Sequence, residues 1–446
     1  MRVAIIGAGI SGLAVAYYLQ KLGMRYDLFE AEAEAGGLIK SPRVGDYQLE
    51  LGPHSLQLTP DLQELLHELK LNDEIVQPAQ VSQNRFIRKD GKYHCLPNSP
   101  VKLLMSSFFS WRTKLQIAQE PQKPVQDIPE ETISHFFKRR FGQEVVDYLV
   151  KPMVAGIYGG DPDQLLLEKT FPYIKEMEKQ HGSILKALTK EEQPDRHPVF
   201  TLTHGLQALP KAIASKLISL HLDHQVEMVH RTHGKYFLSI KNDEEGLSEV
   251  EYDAVIMALP AHKAAEQLEY TAPGLAAALQ NVTYSPMAVV HSAYHKHTIG
   301  HDVNGFGALH PAKEKQFTAG SIWSSSLFPR LCPDDEVLFS SFVGGTQAPI
   351  HTHYPETEIK HRTHIELKAN YNISADTPLF QHCQVWPQAI PQPDMFILDV
   401  HELVSKLEKE KLFACANWMA GPSVPDCIRY ARQLAQKIYS MLPSVQ

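Results

Sequence analysis

The sequence predicts an α/β protein with a parallel sheet covered by helices, a mixed-sheet domain and a helical domain. Three observations carry this prediction: a strand-turn-helix-strand unit at the amino terminus, two later apolar runs typical of buried strands, and an amphipathic helix that closes the chain. The 446 residues, of which 43% are hydrophobic, are enough for two or three packed domains.

The amino-terminal unit has the size of a βαβ crossover. Residues 3–6 form a short strand rich in β-branched side chains, a helical pattern follows and stops at Gly23, and residues 26–29 form a second strand that ends in Glu30. About thirty residues suffice for such a unit, and its two strands lie parallel in one sheet. We therefore expect a parallel sheet with helices on its faces.

Later segments extend the same architecture. Residues 254–259 and 411–416 are apolar runs typical of strands buried in that sheet, and apolar residues recur at helical spacing from Ile428 to Leu442. Six prolines between residues 349 and 393 predict short elements there rather than long helices. The predicted first domain has residues 1–75, 196–275 and 396–446, the mixed-sheet domain has residues 76–90, 181–195 and 276–395, and the helical domain has residues 91–180.

Composition and charge exclude several functions. Forty-three Lys and Arg against 51 Asp and Glu give a net charge of -8, which offers no positive field to nucleic acid. Five cysteines without a CxxC pair indicate neither a disulfide framework nor a structural zinc site, and they fit a reducing, cytoplasmic compartment. No signal peptide pattern is visible and every apolar run is too short to span a membrane, so we expect a soluble protein or one lying on a membrane surface.

Two further patterns are weak. His351 and His353, and His361 and His364, have metal-compatible spacing, but no carboxylate or thiolate motif accompanies them, and we predict no metal site. No GxSxG motif is present, so hydrolase chemistry has no support.

A glycine fingerprint follows the first strand and opens the first helix. Such a turn brings a pyrophosphate close to the backbone at a helix amino terminus, and the acid Glu30 can bind a ribose. An acid at this position favours NAD or FAD over NADP. A glycine turn that binds nothing is the alternative, but strand, helix and acid together predict a Rossmann-like dinucleotide site that includes Gly7, Gly9, Ile10, Ser11 and Gly12.

The segment after Glu30 separates FAD from NAD. An acidic stretch leads to Gly36, Gly37 and Leu38, and a Leu-Gly-Pro turn with Gly52, Pro53 and His54 follows. This series resembles the flavin-containing amine oxidase superfamily, whose members bind FAD in an extended form. The resemblance implies a Rossmann-like FAD-binding domain.

Further stretches resemble the oxygen-dependent protoporphyrinogen oxidase family over most of the chain. They are a hairpin in residues 85–97, the segment 151–162 with the sequence KPMVAGIYGGDP, the segment 205–210 with the sequence GLQALP, residues 389–392, and Asn417 with Gly421 and residues 423–428. This resemblance implies oxidation of protoporphyrinogen IX to the porphyrin in haem synthesis, with coproporphyrinogen III left open as the substrate. Flavin N5 would take the hydride and dioxygen would reoxidise the flavin, so no side chain is expected to be catalytic.

The resemblance also implies site residues. Arg85 would anchor a substrate propionate and Gly156 would line the substrate cavity, although a surface arginine is the ordinary alternative for Arg85. Besides the residues of the glycine segments named above, the expected cofactor-binding residues are Val226, Ala258, Asn417, Val424, Pro425 and Asp426.

Two of the predicted helices allow both a structural and a functional interpretation. Ser423 and Asp426 can simply cap the closing helix, or that helix end can face the flavin and stabilise its reduced, negatively charged form. Residues 101–118 place Leu104, Phe108 and Trp111 at helical spacing beside basic residues, which suits either the core or a membrane interface.

Two other functions remain open at this stage. The first is another flavin oxidoreductase of the same superfamily, such as an amine oxidase or a carotenoid desaturase. The second is an FAD-binding module without turnover. The partners we expect are a porphyrinogen and dioxygen, and a membrane surface and a second copy of the chain are further candidates.

Overall fold

A five-stranded parallel sheet lies at the centre of the first domain. The computed structural model describes residues 1–97, 99, 102–103, 106–190, 197–242 and 246–442. The strand order is Leu220–His221, Arg25–Phe29, Arg2–Ile6, Ala254–Met257 and Leu412–Ala414, and all neighbours pair in parallel. Strands from three distant parts of the chain therefore share one sheet, as the apolar runs predict.

Both faces of this sheet are covered, because alternate side chains of each strand are buried on opposite sides. Val3 and Ile5 pack with one set of helices, and Ala4 and Ile6 pack on the other side. The first set is Ile10–Lys21, Pro60–Glu68, Ala208–Ala214 and Val424–Ser440. The other side holds the helices Ala261–Leu268, Pro273–Gln280 and Phe396–Leu407 and an antiparallel sheet of Gln225–Thr232, Lys235–Asn242 and Gly246–Tyr252.

A seven-stranded mixed sheet forms the second large layer. Its order is Phe380–Pro391, Tyr284–His295, Glu336–Gly344, Thr318–Trp323, Gly307–Leu309, Arg85–Lys89 and Lys92–Cys95. The pairing is antiparallel except where Gly307–Leu309 runs parallel to Arg85–Lys89. The helices Ser324–Leu327 and Glu356–Tyr371 accompany it. Smaller sheets pair Arg43–Val44 with Tyr47–Gln48, and Leu56–Gln57 and Ile75–Val76 with Val199–Leu202.

A group of helices has a hydrophobic core of its own that also contacts the mixed sheet through Ile87 and Leu309. Its members are Trp111–Gln119, Ile133–Phe141, Gln143–Val145, Val146–Val150, Lys151–Tyr158, Leu167–Thr170, Pro172–His181 and Ile184–Lys190. A buried ion pair of Arg140 with Glu120 joins two of its segments. Among the described residues, no helix is both long enough and apolar enough to cross a bilayer.

The domain limits stay a prediction. Residues 191–196, at the junction of the predicted stretches 181–195 and 196–275, and residues 443–446 lie outside the described residues. The strand Lys92–Cys95 belongs to the mixed sheet although it falls within the stretch predicted to be helical.

Two predictions about elements are wrong. Prolines do not keep the region 349–393 in short pieces, because Glu356–Tyr371 is a 16-residue helix between prolines and Phe380–Pro391 is a 12-residue strand. That strand tolerates Pro387 because it lies at the sheet edge, where a missing N–H breaks no ladder.

The continuous helix predicted for residues 101–118 is also wrong. Ser110 ends a non-helical turn and caps a new helix at Trp111 by accepting a hydrogen bond from the Thr113 N–H. Phe108 is buried before this break, whereas Trp111 and Leu115 are 70% and 50% exposed after it. Leu104 lies outside the described residues.

Candidate active site

The glycine turn after the first strand is tightly packed except at one point. A Cβ on Gly7, whose φ is +101°, would lie 2.8 Å from the Ala258 carbonyl oxygen, and a Cβ on Gly12 would lie 1.9 Å from the Gly7 carbonyl oxygen. A Cβ on Gly9 would meet nothing within 4 Å. The turn therefore needs glycine at both ends for packing and leaves space at Gly9 for a ligand.

Two helix amino termini meet at this edge of the sheet. The first helix begins at Ile10 after Gly9, and no side chain caps it, so its free N–H groups can bind an anion. The closing helix begins at Val424, and Ser423 accepts a hydrogen bond from the Asp426 N–H at 3.1 Å, as the capping pattern predicts. The Cys427 thiol, one turn into the closing helix, donates to the Gly421 carbonyl oxygen at 3.5 Å, and the Cys415 thiol donates to the Ser11 carbonyl oxygen in the first helix at 3.6 Å.

Glu30 and the second pair of glycines lie against this turn. The Ala8 N–H donates to Glu30 Oε2 at 2.7 Å, and the Gly36 N–H donates to the Ala8 carbonyl oxygen at 2.9 Å. A Cβ on Gly37 would approach Gly9 Cα to 3.3 Å. Leu38 follows and is 40% exposed. These contacts place the residues predicted to bind the pyrophosphate next to Glu30, which is predicted to bind the ribose.

The segment with Gly52, Pro53 and His54 joins the same edge to the mixed sheet. A Cβ on Gly52 would lie 2.3 Å from the Leu38 carbonyl oxygen, so this segment and the one after the double glycine are in close contact. Pro53 and His54 are partly buried, and the His54 ring packs against Phe342 of the mixed sheet with centroids 5.0 Å apart.

The remaining predicted cofactor residues lie around this edge. Ala258 follows its strand and donates to the Ile6 carbonyl oxygen, and Asn417 begins a short helix just after the strand Leu412–Ala414. Val424 and Pro425 are buried in the first turn of the closing helix. Val226 lies further out, near Glu30 through the bond from the His224 N–H to the Glu30 carbonyl oxygen, and its own carbonyl oxygen accepts from Gln267.

The predicted substrate residues Arg85 and Gly156 both lie next to the strand Gly307–Leu309. Arg85 pairs in register with Gly307, and a Cβ on Gly156 would approach Leu309 Cδ2 to 3.1 Å. Gly156 is exposed and lets its helix pack closely on that strand. The Arg85 guanidinium lies 5.1 Å from the centre of the Phe306 ring, a distance typical of a cation–π contact.

Burial determines the protonation state of three side chains in this region, Glu50, His54 and His291. Burial raises the pKa of the Glu50 carboxyl to about 8, although hydrogen bonds from Ser41 and the Leu206 N–H oppose this rise. Burial lowers the pKa of His54 to about 4 and that of His291 well below its usual value, so both rings are neutral at neutral pH. Sequence reasoning assigned no role to Glu50 or His291. For Glu50, the only signal in the sequence was an acidic residue between two leucines. Nothing in the sequence marked His291.

One histidine of each pair, His351 and His364, has contacts within the mixed-sheet layer, whereas His353 and His361 are exposed. His364 lies within hydrogen-bond distance of the Tyr294 hydroxyl at 2.8 Å and of the Asp376 carbonyl oxygen at 2.9 Å. His351 contacts the Phe317 carbonyl oxygen. Another group, His295 with Asp335 and Glu336, has ligand atoms close together but is partly open to solvent.

The residues present fit a dinucleotide. The open space at Gly9, the uncapped amino terminus of the first helix and the carboxylate of Glu30 provide room, N–H donors and a ribose acceptor at one edge of a parallel sheet. Arg85 on the mixed sheet and Gly156 on the helix Lys151–Tyr158 are both next to the strand Gly307–Leu309.

Comparison with known proteins agrees with this arrangement. A family model described as flavin containing amine oxidoreductase matches residues 10–439. The mitochondrial protoporphyrinogen oxidase of Nicotiana tabacum is 31% identical, with 100% of this chain and 96% of that protein covered. The coproporphyrinogen III oxidase of Bacillus subtilis (strain 168) is 26% identical, with 96% and 95% covered.

Solved structures share the fold. The crystal structure of a provisionally named protoporphyrinogen oxidase from Exiguobacterium sp. 255-15 superimposes with a TM-score of 0.83, covers 99% of both chains and is 19% identical. Putrescine oxidase bound to putrescine gives a TM-score of 0.72 at 16% identity, again with 99% of both chains covered. At these identities the likeness concerns the fold alone.

Proposed function

The chain belongs to the family of flavin containing amine oxidoreductases, and we propose that it oxidises a porphyrinogen to the porphyrin in haem biosynthesis, with dioxygen as the electron acceptor. The observation that carries the proposal is similarity over the whole chain to enzymes named for two porphyrinogens, at 31% and 26% identity. Both of the domains that would contact substrate fall within the matched length.

FAD is the cofactor of the family, and we assign its site to the edge of the parallel sheet. When bound, FAD accepts a hydride at N5 and passes the electrons to dioxygen. The glycine turn would hold the pyrophosphate, Glu30 the ribose, and Val226 would lie near the adenine end. The other residues assigned to it are Ile10, Ser11, Gly36, Gly37, Leu38, Gly52, Pro53, His54, Ala258, Asn417, Val424, Pro425 and Asp426.

We assign substrate binding to Arg85 and Gly156. A guanidinium can form two parallel hydrogen bonds to a propionate carboxylate, and Arg85 is exposed beside the aromatic ring of Phe306. Gly156 is exposed next to Leu309, where a side chain would enter the space above the strand. The protein would supply orientation and an apolar wall, and the side chains need not react themselves.

A membrane surface is the proposed location of the helical domain. Trp111 and Leu115 project from one helix with Arg112 beside the Trp111 ring, and this combination suits the interface of a bilayer. We place the protein in the cytoplasm, peripheral to a membrane, and propose a homodimer as its state in solution.

Product analysis tests this function. The purified protein is supplied with protoporphyrinogen IX or coproporphyrinogen III in air, and porphyrin fluorescence and dioxygen uptake are followed together. We expect porphyrin to appear in step with dioxygen consumption, and the ratio of kcat/KM for the two compounds identifies the substrate. The Gly9→Asp variant, which should not hold FAD, measures non-enzymatic oxidation. Rates equal to that control with both compounds would contradict the proposal.

A further inference from the structure

A small cavity with a largely apolar wall and a few polar side chains lies between the segment that carries His54 and the mixed sheet. Its volume is about 10 Å³, close to the space that one water molecule needs. His54 and Glu50 line it from one side, His291 and Ser340 line it from the sheet, and Ser324 lines it from the start of the helix Ser324–Leu327. Phe306, whose ring lies under the Arg85 guanidinium, is also part of the wall, so the cavity is next to the proposed substrate site.

His54 directs an unused acceptor into buried space. Its Nε2 atom is buried and has no hydrogen-bond partner, while a ring N–H donates to the Gly52 carbonyl oxygen. Because Nε2 has no partner, the donor is Nδ1, and Nε2 of the neutral ring carries a lone pair. A buried nitrogen without a partner costs free energy unless a water or a ligand supplies a donor.

His291, the second histidine of the cavity, has no unpartnered acceptor, because hydrogen bonds at both ring nitrogens determine which nitrogen carries the hydrogen. His291 Nε2 lies 3.1 Å from the Glu50 carbonyl oxygen, which can only accept, so Nε2 carries the hydrogen and Nδ1 is the acceptor. The Ser340 hydroxyl, 2.9 Å away, therefore donates to Nδ1, and the Ser324 hydroxyl, 2.7 Å from Ser340, donates to Ser340. Because the hydrogens of both hydroxyls are already used, a water in the cavity would donate one hydrogen to the Ser324 hydroxyl oxygen and the other to His54 Nε2, and its lone pairs would stay free.

We propose that a water molecule held in this cavity receives the proton that the porphyrinogen loses in each round of oxidation and transfers it to His54 Nε2. The step rests on the proposed function. In each round the substrate gives up a hydride, which carries two electrons to the flavin, and a proton from a ring nitrogen. That proton binds the water as one of the water's own protons moves to Nε2, which leaves an imidazolium that later returns the proton to solvent.

Burial opposes a charged His54 ring, but no cationic side chain among the described residues adds to that penalty. The titratable groups facing it are Glu50 from its own segment and His291 from the strand Tyr284–His295, and His291 in turn faces His382 on the edge strand. None of these groups is a fixed cation. Since burial lowers the pKa of His54 to about 4, the ring is neutral before each round and has its lone pair available.

The His54→Gln variant tests the proposal, since it keeps a polar side chain of similar size but cannot take a proton. Anaerobic mixing with porphyrinogen measures flavin reduction in a single turnover. We expect a fall of about a hundredfold at saturating substrate, with little change in the substrate affinity. His230→Gln, in a half-buried histidine outside the cavity, should react at the wild-type rate.

A second readout does not depend on turnover. Nitrogen NMR of the histidine rings, assigned by the signal missing in His54→Gln, should show His54 at neutral pH with an unprotonated Nε2 that accepts a hydrogen bond. If the wild type reduces no flavin with either porphyrinogen, the proposed function fails, and this spectrum still decides whether the site exists.

Two results would overturn the inference. One is flavin reduction in folded, FAD-loaded His54→Gln within about twofold of the wild type, where general acid–base catalysis predicts a far larger loss. The other is a protonated Nε2 in the wild-type spectrum. If the His54→Gln variant does not bind FAD, the Ser340→Ala variant is measured instead, because Ser340 lies on the sheet side of the cavity. That variant should slow flavin reduction severalfold with normal FAD content, and an unchanged rate would equally overturn the inference.

Discussion

A side chain at Gly9 should affect cofactor binding, whereas a side chain at Gly12, three residues later, should affect folding. Gly9 has a φ of -67°, which any residue adopts, and nothing lies within 4 Å of an added Cβ. We predict that Gly9→Asp folds with a thermal midpoint close to that of the wild-type apoprotein but binds no FAD, because its carboxylate occupies and repels the pyrophosphate.

Gly12→Ala is the matched comparison. Its Cβ would lie 1.9 Å from the Gly7 carbonyl oxygen, so the fold itself must give way. We expect this variant to lose thermal stability and solubility, as measured by scanning calorimetry. Normal FAD content in Gly9→Asp would show that the pyrophosphate lies elsewhere.

Arg85 should act on substrate binding rather than on the chemical step. Arg85→Ala removes a charge-assisted hydrogen bond worth about 1.5–3 kcal/mol, which corresponds to a fall in kcat/KM of about ten- to a hundredfold. The loss should appear mainly in KM, because a propionate remote from the reacting carbon is held equally in ground and transition states. Arg85→Lys should recover part of it. Unchanged kinetics in an FAD-loaded Arg85→Ala variant would remove Arg85 from the site.

At the scale of elements, the helix Trp111–Gln119 has one face in the core and one face open to solvent, whereas the sequence pattern assigned all its apolar residues to a single face. Thr113 and Ile117 face the core, whereas Trp111 and Leu115 face outward. The turn before it is held by Lys89, whose Nζ donates to the Phe108 carbonyl oxygen and to Glu144 at 2.6 Å each.

We predict that exchanging Trp111 and Leu115 for serine weakens sedimentation with anionic vesicles about tenfold or more, because two apolar side chains no longer enter the interface. FAD content and thermal stability should stay normal. Phe108→Ser is the contrasting variant, since Phe108 is buried and its loss should destabilise the fold instead. Equal vesicle binding by the double variant and the wild type would refute membrane contact by this helix.

The elements with strong local periodicity were predictable, and those set by neighbours were not. The first strand, first helix and closing helix lie where apolar spacing predicts them, because each buries one regular face. The break at Ser110 was missed, since it depends on Glu144, a residue far away along the chain that accepts from the Ser110 hydroxyl. The long edge strand was missed because proline is tolerated only through its place in the sheet.

At the scale of the whole molecule, Glu50 connects the layer of the parallel sheet with the mixed sheet. Its side chain accepts from the Leu206 N–H in the first domain, and its carbonyl oxygen contacts His291 of the mixed sheet. Such contacts join positions more than 150 residues apart, so no local motif reveals them. The glycine turns were predictable, because each carries its own turn geometry.

The raised pKa of Glu50 gives stability a defined pH dependence. The folded carboxyl has a pKa of about 8 against 4.5 for an unperturbed glutamate, so near neutral pH the folded state holds a proton that the unfolded state has lost. This contribution to stability is complete below about pH 4.5 and declines as the pH rises to about 8. We predict that Glu50→Gln loses less thermal stability between pH 6 and pH 8.5 than the wild type.

The control for this pH series is Glu269→Gln, which removes an exposed carboxylate outside the site. Its thermal midpoints should follow those of the wild type across the whole range. A decline in Glu50→Gln as steep as in the wild type would mean that the Glu50 carboxyl is ionised in the folded protein at neutral pH.

The most direct test of porphyrinogen oxidation is anaerobic mixing of the FAD-loaded protein with protoporphyrinogen IX, coproporphyrinogen III or putrescine, with the flavin absorbance followed in time. The account predicts that at least one porphyrinogen bleaches the flavin within a turnover, that admitting air restores the colour with porphyrin as the product, and that putrescine leaves the spectrum unchanged. Bleaching by the amine alone, or no bleaching by either porphyrinogen, would contradict it.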